Sequence, residues 1–271
     1  MDKVTQQTNH YIHRKEPTRM KCWLLIAVVV ATGPLLVEAG RPLTVDDAGT
    51  VESQQFQLEA GAGYEHDSAT QHFDFPLGLS YGVLPMLQAG IWSGVQLEDR
   101  SEDNDVHHTV SDICDFTLAT KWNPLAADRF WADQALAFAV KIPTASCDKG
   151  CGSGKADFDL MYIVTKKLTD RFNADLNIGY TWVGGDDDLV HYGLALRWKV
   201  TEPVELVGEV FANTPVTSVK TTTLAMNAGI RWQAMDNLVL DAAAGAGLRG
   251  DVPDVTATMG LTWTFGFGKN K

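Results

Sequence analysis

From residue 56 onward, apolar and polar side chains alternate one for one in short stretches separated by turn residues, and the pattern returns about every 18 residues. The last stretch, V-T-A-T-M-G-L-T-W-T-F at 255–265, puts Val255, Ala257, Met259, Leu261, Trp263 and Phe265 on one parity. Thr256, Thr258, Gly260, Thr262 and Thr264 occupy the other. Successive side chains of an extended chain point to opposite faces, so each stretch predicts a strand standing between two different solvents. Apolar sets of this kind predict twelve strands, at 56–64, 73–81, 87–97, 116–122, 136–142, 158–164, 174–182, 190–198, 204–210, 224–232, 238–248 and 255–265. No helical period competes with them, and evenly spaced short strands predict a sandwich or a barrel.

The connections and the aromatic residues decide between the two. Residues 82–85, 123–129, 169–171, 201–203 and 233–237 form mostly short turns. Between them fall 65–70, 98–111, 143–154, 184–188, 213–219 and 249–254, several of them longer and strongly acidic. Short turns on one side and longer loops on the other are the habit of outer-membrane barrels, whose turns face the periplasm. Trp122, Trp198, Trp232 and Trp263 stand near strand ends on the short-turn side, and Tyr64, Phe73 and Trp182 near the opposite rim. Amphipathic rings prefer the bilayer interface, whereas a soluble sandwich buries its tryptophans mid-strand. The prediction is an all-β fold: a single transmembrane antiparallel up-and-down β-barrel of about 12 strands over residues 52–265.

The opposite parity then faces the lumen. It carries Glu59, Asp74, Asp115, Lys121, Asp133, Lys141, Asp157, Asp159, Asp175, Arg197, Lys199, Glu205, Glu209, Arg231 and Asp241, ten acidic and five basic groups. Arg or Lys facing lipid at mid-depth costs roughly 2–4 kcal/mol, so their collection on one parity supports the register. These charges either neutralise one another in cross-barrel ion pairs or line a weakly cation-favouring pore. Gly61, Gly63, Gly78, Gly90, Gly94, Ala135, Ala137, Ala139, Ala243, Gly245 and Gly247 share this parity and fill little space, which suggests a narrow lumen. The polar, non-periodic lead-in at 40–51 is long enough to enter it as a plug.

Charge and leader add the compartment. Arg14, Lys15, Arg19 and Lys21 precede an apolar run at 23–37, and Val37-Glu38-Ala39 follows, the order of a secretory signal peptide with cleavage after Ala39. An uncleaved anchor is the alternative, but 23–37 is shorter than the roughly 20 residues of a span and contains Gly33 and Pro34. The whole chain carries 22 basic and 34 acidic groups, for a net charge of −12. Residues 1–39 hold five of the former and three of the latter, so the remainder has 17 and 31, a net charge of −14. A chain so acidic is no partner for nucleic acid. Residues 266–271 are expected to be a periplasmic tail.

Candidate chemistry is sparse. Cys147 and Cys151 flank Asp148-Lys149-Gly150, and export favours a small disulfide between them; a metal site there lacks a second ligand pair. Cys114 is left over. G-C-G-S-G-K at 150–155 is one residue short of a phosphate loop, has Ala156 in place of the hydroxyl, and precedes a strand. His66, His72, His107, His108 and His191 show no ligand spacing and are read as solvated rim residues. No serine stands beside a histidine in a defensible triad, so neither enzyme activity nor a cofactor or metal is expected.

Two resemblances sharpen the function. Thr258, Gly260, Trp263 and Phe265 resemble the C-terminal signal by which outer-membrane barrels are handed to the barrel-assembly machinery, which implies that machinery and outer-membrane lipid as partners. R-P-L-T-V-D-D-A-G-T-V-E at 41–52 resembles the N-terminal signature of the outer-membrane family named after the phenol meta-degradation pathway. Residues 111–122 and K-I-P-T-A at 141–145 are similar to two further motifs of that family, with Ser111 and Ala145 departing from them. The resemblance implies an outer-membrane channel for passive uptake or efflux of small, aromatic or hydrophobic molecules, the solute itself unspecified. The second reading is a structural or surface-interaction barrel with a closed lumen and acidic extracellular loops that meet cations.

Overall fold

The computed structural model describes residues 40–67, 70–102, 106–146 and 152–266. The leader, the tail at 267–271, and Cys147 and Cys151 with their expected disulfide lie outside the described residues, as do the side chains of His107 and His108. Among the described residues thirteen strands follow one another: β1 (Gln55–Asp67), β2 (Thr70–Leu84), β3 (Leu87–Glu102), β4 (Val106–Ile113), β5 (Phe116–Leu125), β6 (Asp133–Ile142), β7 (Asp157–Lys167), β8 (Phe172–Trp182), β9 (Leu189–Lys199), β10 (Val204–Pro215), β11 (Thr223–Met235), β12 (Leu238–Arg249) and β13 (Val255–Gly266). All pairings between them are antiparallel, and β1 pairs with both β2 and β13. Phe56 lies opposite Tyr81 on one side and Phe265 on the other, and with β2 also paired to β3 the sheet closes on itself; among the described residues β4 pairs with β3 alone.

The ring nevertheless has twelve strands, because β4 and β5 are one strand interrupted. Both pair with β3, β5 along Leu87–Trp92 and β4 along Val95–Glu102, and the register shifts by one residue between them. The break falls at Cys114 and Asp115. The Cys114 N–H still donates to Gly94 O at 2.9 Å, while the Asp115 carboxylate turns to accept the N–H groups of Thr144 and Ala145 at 2.8 and 2.7 Å. Residues 98–102 and 106–111, expected to belong to a loop, are therefore paired strand that prolongs β3 and β4. With charged and polar residues on both parities, such a ribbon has no apolar half for the alternation to reveal.

Polarity is inverted relative to a soluble protein. Leu176, Ile178 and Met259 are 49, 51 and 65 % exposed on the outer surface, while Asp159 and Asp175 are 0 and 1 % exposed inside. A continuous apolar exterior on a closed barrel is stable only in hydrocarbon, where every strand N–H and C=O is already paired. The protein is an outer-membrane β-barrel. Trp122, Trp198, Trp232 and Trp263 are exposed near the short-turn rim, and Phe73 and Trp182 near the other. Among the described residues no helix is long and apolar enough to cross a membrane.

Candidate functional site: an occupied lumen

The segment 40–51 forms no strand or helix, so each of its peptide groups needs a partner from elsewhere. The barrel wall supplies many of them. The Glu209 carboxylate accepts the Thr44 N–H at 2.8 and 2.9 Å and the Val45 N–H at 2.6 Å. Asn177 clasps Asp46, accepting its N–H at 2.7 Å and donating to its carbonyl at 2.8 Å. Ala48 donates to Thr165 Oγ1 and accepts from Asn123 Nδ2, both at 2.8 Å, and the Val51 N–H reaches Gln88 Oε1 at 2.7 Å. Arg231 donates to the carbonyls of Gly40 and Arg41. These partners belong to β3, β5, β7, β8, β10 and β11, and a segment that touches the inner faces of all six lies inside the barrel. Val51 sits at the short-turn end beside Gln88, and Arg41 leads toward mid-depth.

Charge pairing fixes this plug further. Lys121 Nζ donates to both carboxylate oxygens of Asp46, at 3.1 and 2.9 Å, and the two side chains are 6 and 1 % exposed. Arg41 spans to Asp241 at 3.3 Å, to Thr258 Oγ1 at 3.1 Å and to the Met259 carbonyl at 2.9 Å. Arg197 binds Asp175 at 2.6 and 2.9 Å and stands 3.5 Å from Asp47. Burial opposes ionisation of Asp47, but Arg197, Lys121 and Arg231 outweigh it and hold its pKa at about 2.

Other inward charges pair along the wall. Lys141 meets Asp157, and Arg231 meets Glu205 at 3.2 Å. His191 Nε2 contacts Asp159 Oδ1 at 2.7 Å, which also accepts the Thr181 hydroxyl at 2.6 Å. That hydroxyl donates to the carboxylate and not to the imidazole, so the trio holds no activated nucleophile. His72 and His191 are buried, contrary to the expectation of solvated rim histidines, because each turns inward to a polar partner, Gln96 Nε2 at 3.2 Å for His72. Among the described residues no three metal-binding side chains converge.

The small inward residues form the plug's seat. An added Cβ at Gly61 or Gly260 would run into the Arg41 guanidinium, and one at Gly193 into Val45. Gly78 and Gly90 make room for the Trp92 indole. Ala48 packs among Ala119, Ala135, Ala137, Ala139, Met161 and Ile163 with Trp92 against them, and Leu43 and Val45 pack with Ala195, Val207 and Phe211. Sequence reasoning missed Trp92, Met161, Ile163, Val207 and Phe211. The available signal was an apolar residue on the polar parity. Thr258 and Gly260, expected only as part of an assembly signal, also touch the plug through Arg41, while Trp263 and Phe265 face outward.

Between the leading end of the plug and the 249–254 connection the lumen keeps a cavity of about 240 Å³. Arg41, Leu43, Trp92 and Phe211 line it together with Glu59, Glu65, Asp74 and Asn213.

The family profile described as "Putative MetA-pathway of phenol degradation" matches residues 39–265. The chain belongs to this family. Among solved structures, this family member is similar to an outer membrane channel from Pseudomonas putida F1, at 14 % identity and a TM-score of 0.65, over 84 % of this chain and 100 % of that one. It is also similar to the NanC porin, at 10 % identity and a TM-score of 0.54, over 76 and 98 % of the two chains. A KdgM porin in complex with disordered oligogalacturonate gives 8 %, 0.52, and 77 and 99 %. At such identities the likeness is one of fold. No curated protein sequence matches.

Proposed function

We propose that the protein is a passive outer-membrane channel for small, predominantly apolar or aromatic molecules, and that its own N-terminal segment closes the lumen at rest. The observation that carries this reading is the cavity above the plug, to whose wall Leu43, Trp92 and Phe211 contribute apolar surface. Pockets for small organic molecules are concave, largely apolar and fitted with few polar groups. Only hydrogen bonds, ion pairs and side-chain contacts hold the plug, and it adds no strand to the sheet, so it is the part of the fold that opens without breaking the barrel. Outer-membrane lipid around the apolar belt and delivery by the barrel-assembly machinery belong to the same reading. The occupied lumen also favours a second reading, a closed barrel that serves at the surface. Single-channel recording in planar bilayers, with uptake of small aromatics by a deletion strain, separates them: a channel gives measurable conductance and an uptake defect. Absence of both would defeat the transport reading.

A further inference from the structure

We propose that the cavity above the plug binds a small molecule joining one apolar or aromatic body to a positively charged amine. This narrows the solute class of the preceding reading, on which it rests. Size comes first: about 240 Å³ at roughly 30 Å³ per water-sized group leaves room for about eight non-hydrogen atoms, one ring with a short substituent. Leu43, Trp92 and Phe211 offer the ring its apolar walls. The polar part of the wall is strongly one-sided. Glu59, Glu65 and Asp74 line the cavity, and among the described residues neither Glu65 nor Asp74 has a cation within ion-pair distance. The guanidinium on the wall belongs to Arg41, and it is committed to Asp241, Thr258 and the Met259 carbonyl.

A second observation points the same way from the opposite wall. Asn213 is 6 % exposed, lines the same cavity, and its Oδ1 finds no hydrogen-bond partner among the described residues. Acceptors therefore outnumber the donors left to satisfy them. A buried acceptor without a donor is unfavourable, and a half-buried carboxyl group without a counter-charge favours a cation over a neutral solute. Trp92 lines the same cavity, and an aromatic ring is suited to the same charge. An anionic solute meets the carboxyl groups of Glu65 and Asp74 with Arg41 already engaged.

Three compounds of nearly equal size separate charge from shape: benzylamine, benzyl alcohol and benzoate. Isothermal titration calorimetry on the folded full-length barrel in amphipol is expected to show benzylamine binding about tenfold more tightly than benzyl alcohol, with benzoate undetected. Glu65→Gln with Asp74→Asn should bring the amine and the alcohol to within about twofold. If the double variant fails to fold, as judged by heat-dependent gel mobility, Glu65→Gln alone should still lower amine affinity selectively. Equal binding of amine and alcohol to the unaltered protein overturns the proposal, and so does a preference that survives the substitutions. Liposome flux of the same compounds tests the channel itself. Amine binding without any flux or conductance leaves this proposal standing and removes the transport reading, whereas flux of the alcohol without charge preference does the reverse.

Discussion

Replacing Glu209 by alanine removes the one side chain that holds two consecutive plug amides. Its carboxylate accepts the N–H of Thr44 at 2.8 and 2.9 Å and of Val45 at 2.6 Å, and also receives Asn227 Nδ2 at 2.6 Å. A hydrogen bond to a charged group contributes about 1.5–3 kcal/mol, so the two amides together represent about 3–6 kcal/mol. Thr44 is only half-buried, and lumen water recovers part of that loss. A net loss of about 3 kcal/mol corresponds to roughly 100-fold faster amide exchange at Thr44 and Val45, at about 1.4 kcal/mol per tenfold. Glu209→Gln keeps the shape and one good acceptor, and should raise exchange about tenfold. Hydrogen exchange read by mass spectrometry on the plug peptide measures both, with strand peptides on the far side of the barrel as the internal control. Unchanged protection of the plug peptide in Glu209→Ala would refute the assignment of Glu209 as its clamp.

Lys121→Met strips Asp46 of its buried counter-charge; breaking such a pair costs about 3–5 kcal/mol, and the plug should become open to protease while heat-dependent gel mobility persists. Continued resistance of the plug would count against the pair. Asp47 titrates at about 2 instead of its ordinary 3.8, so its contribution is present above about pH 4 and disappears as pH falls through 2. Plug protection should hold between pH 7 and 4 and fall toward pH 2, and Asp47→Asn should make that step smaller; a step of unchanged size would count against Asp47. At the closing seam Phe265 stacks on Phe56 at 5.6 Å and meets Trp263 at 4.7 Å, so Trp263→Ala with Phe265→Ala should lower the yield of folded barrel in the outer membrane; an unchanged yield would refute that role.

The lipid-facing half of this fold was legible because hydrocarbon imposes one rule on every strand. Met259 and Trp263 could be assigned outward from parity alone, and so could Asp159 and Asp175 inward. The lumen obeys no such rule. Met161 and Ile163 stand on the polar parity because they pack on Ala48, an atom set far away in sequence that no period announces. The inward glycines read as open space, yet Gly61 and Gly260 are bare because Arg41 lies over them. The hairpin of β3 and β4 was hidden for a third reason: its polar faces leave no alternation to read. The charged residues were found at their positions, but their partners were not, since Lys121 and Asp241 pair with the plug and not with a neighbouring strand.

The most direct test removes the plug and measures the hole. Planar-bilayer recordings of the intact protein should be compared with a variant lacking residues 41–51, after heat-dependent gel mobility has established that both are folded. An occupied lumen predicts a small or mostly closed conductance for the intact barrel and a several-fold larger, persistently open one for the variant. Equal conductance in the two would contradict the account.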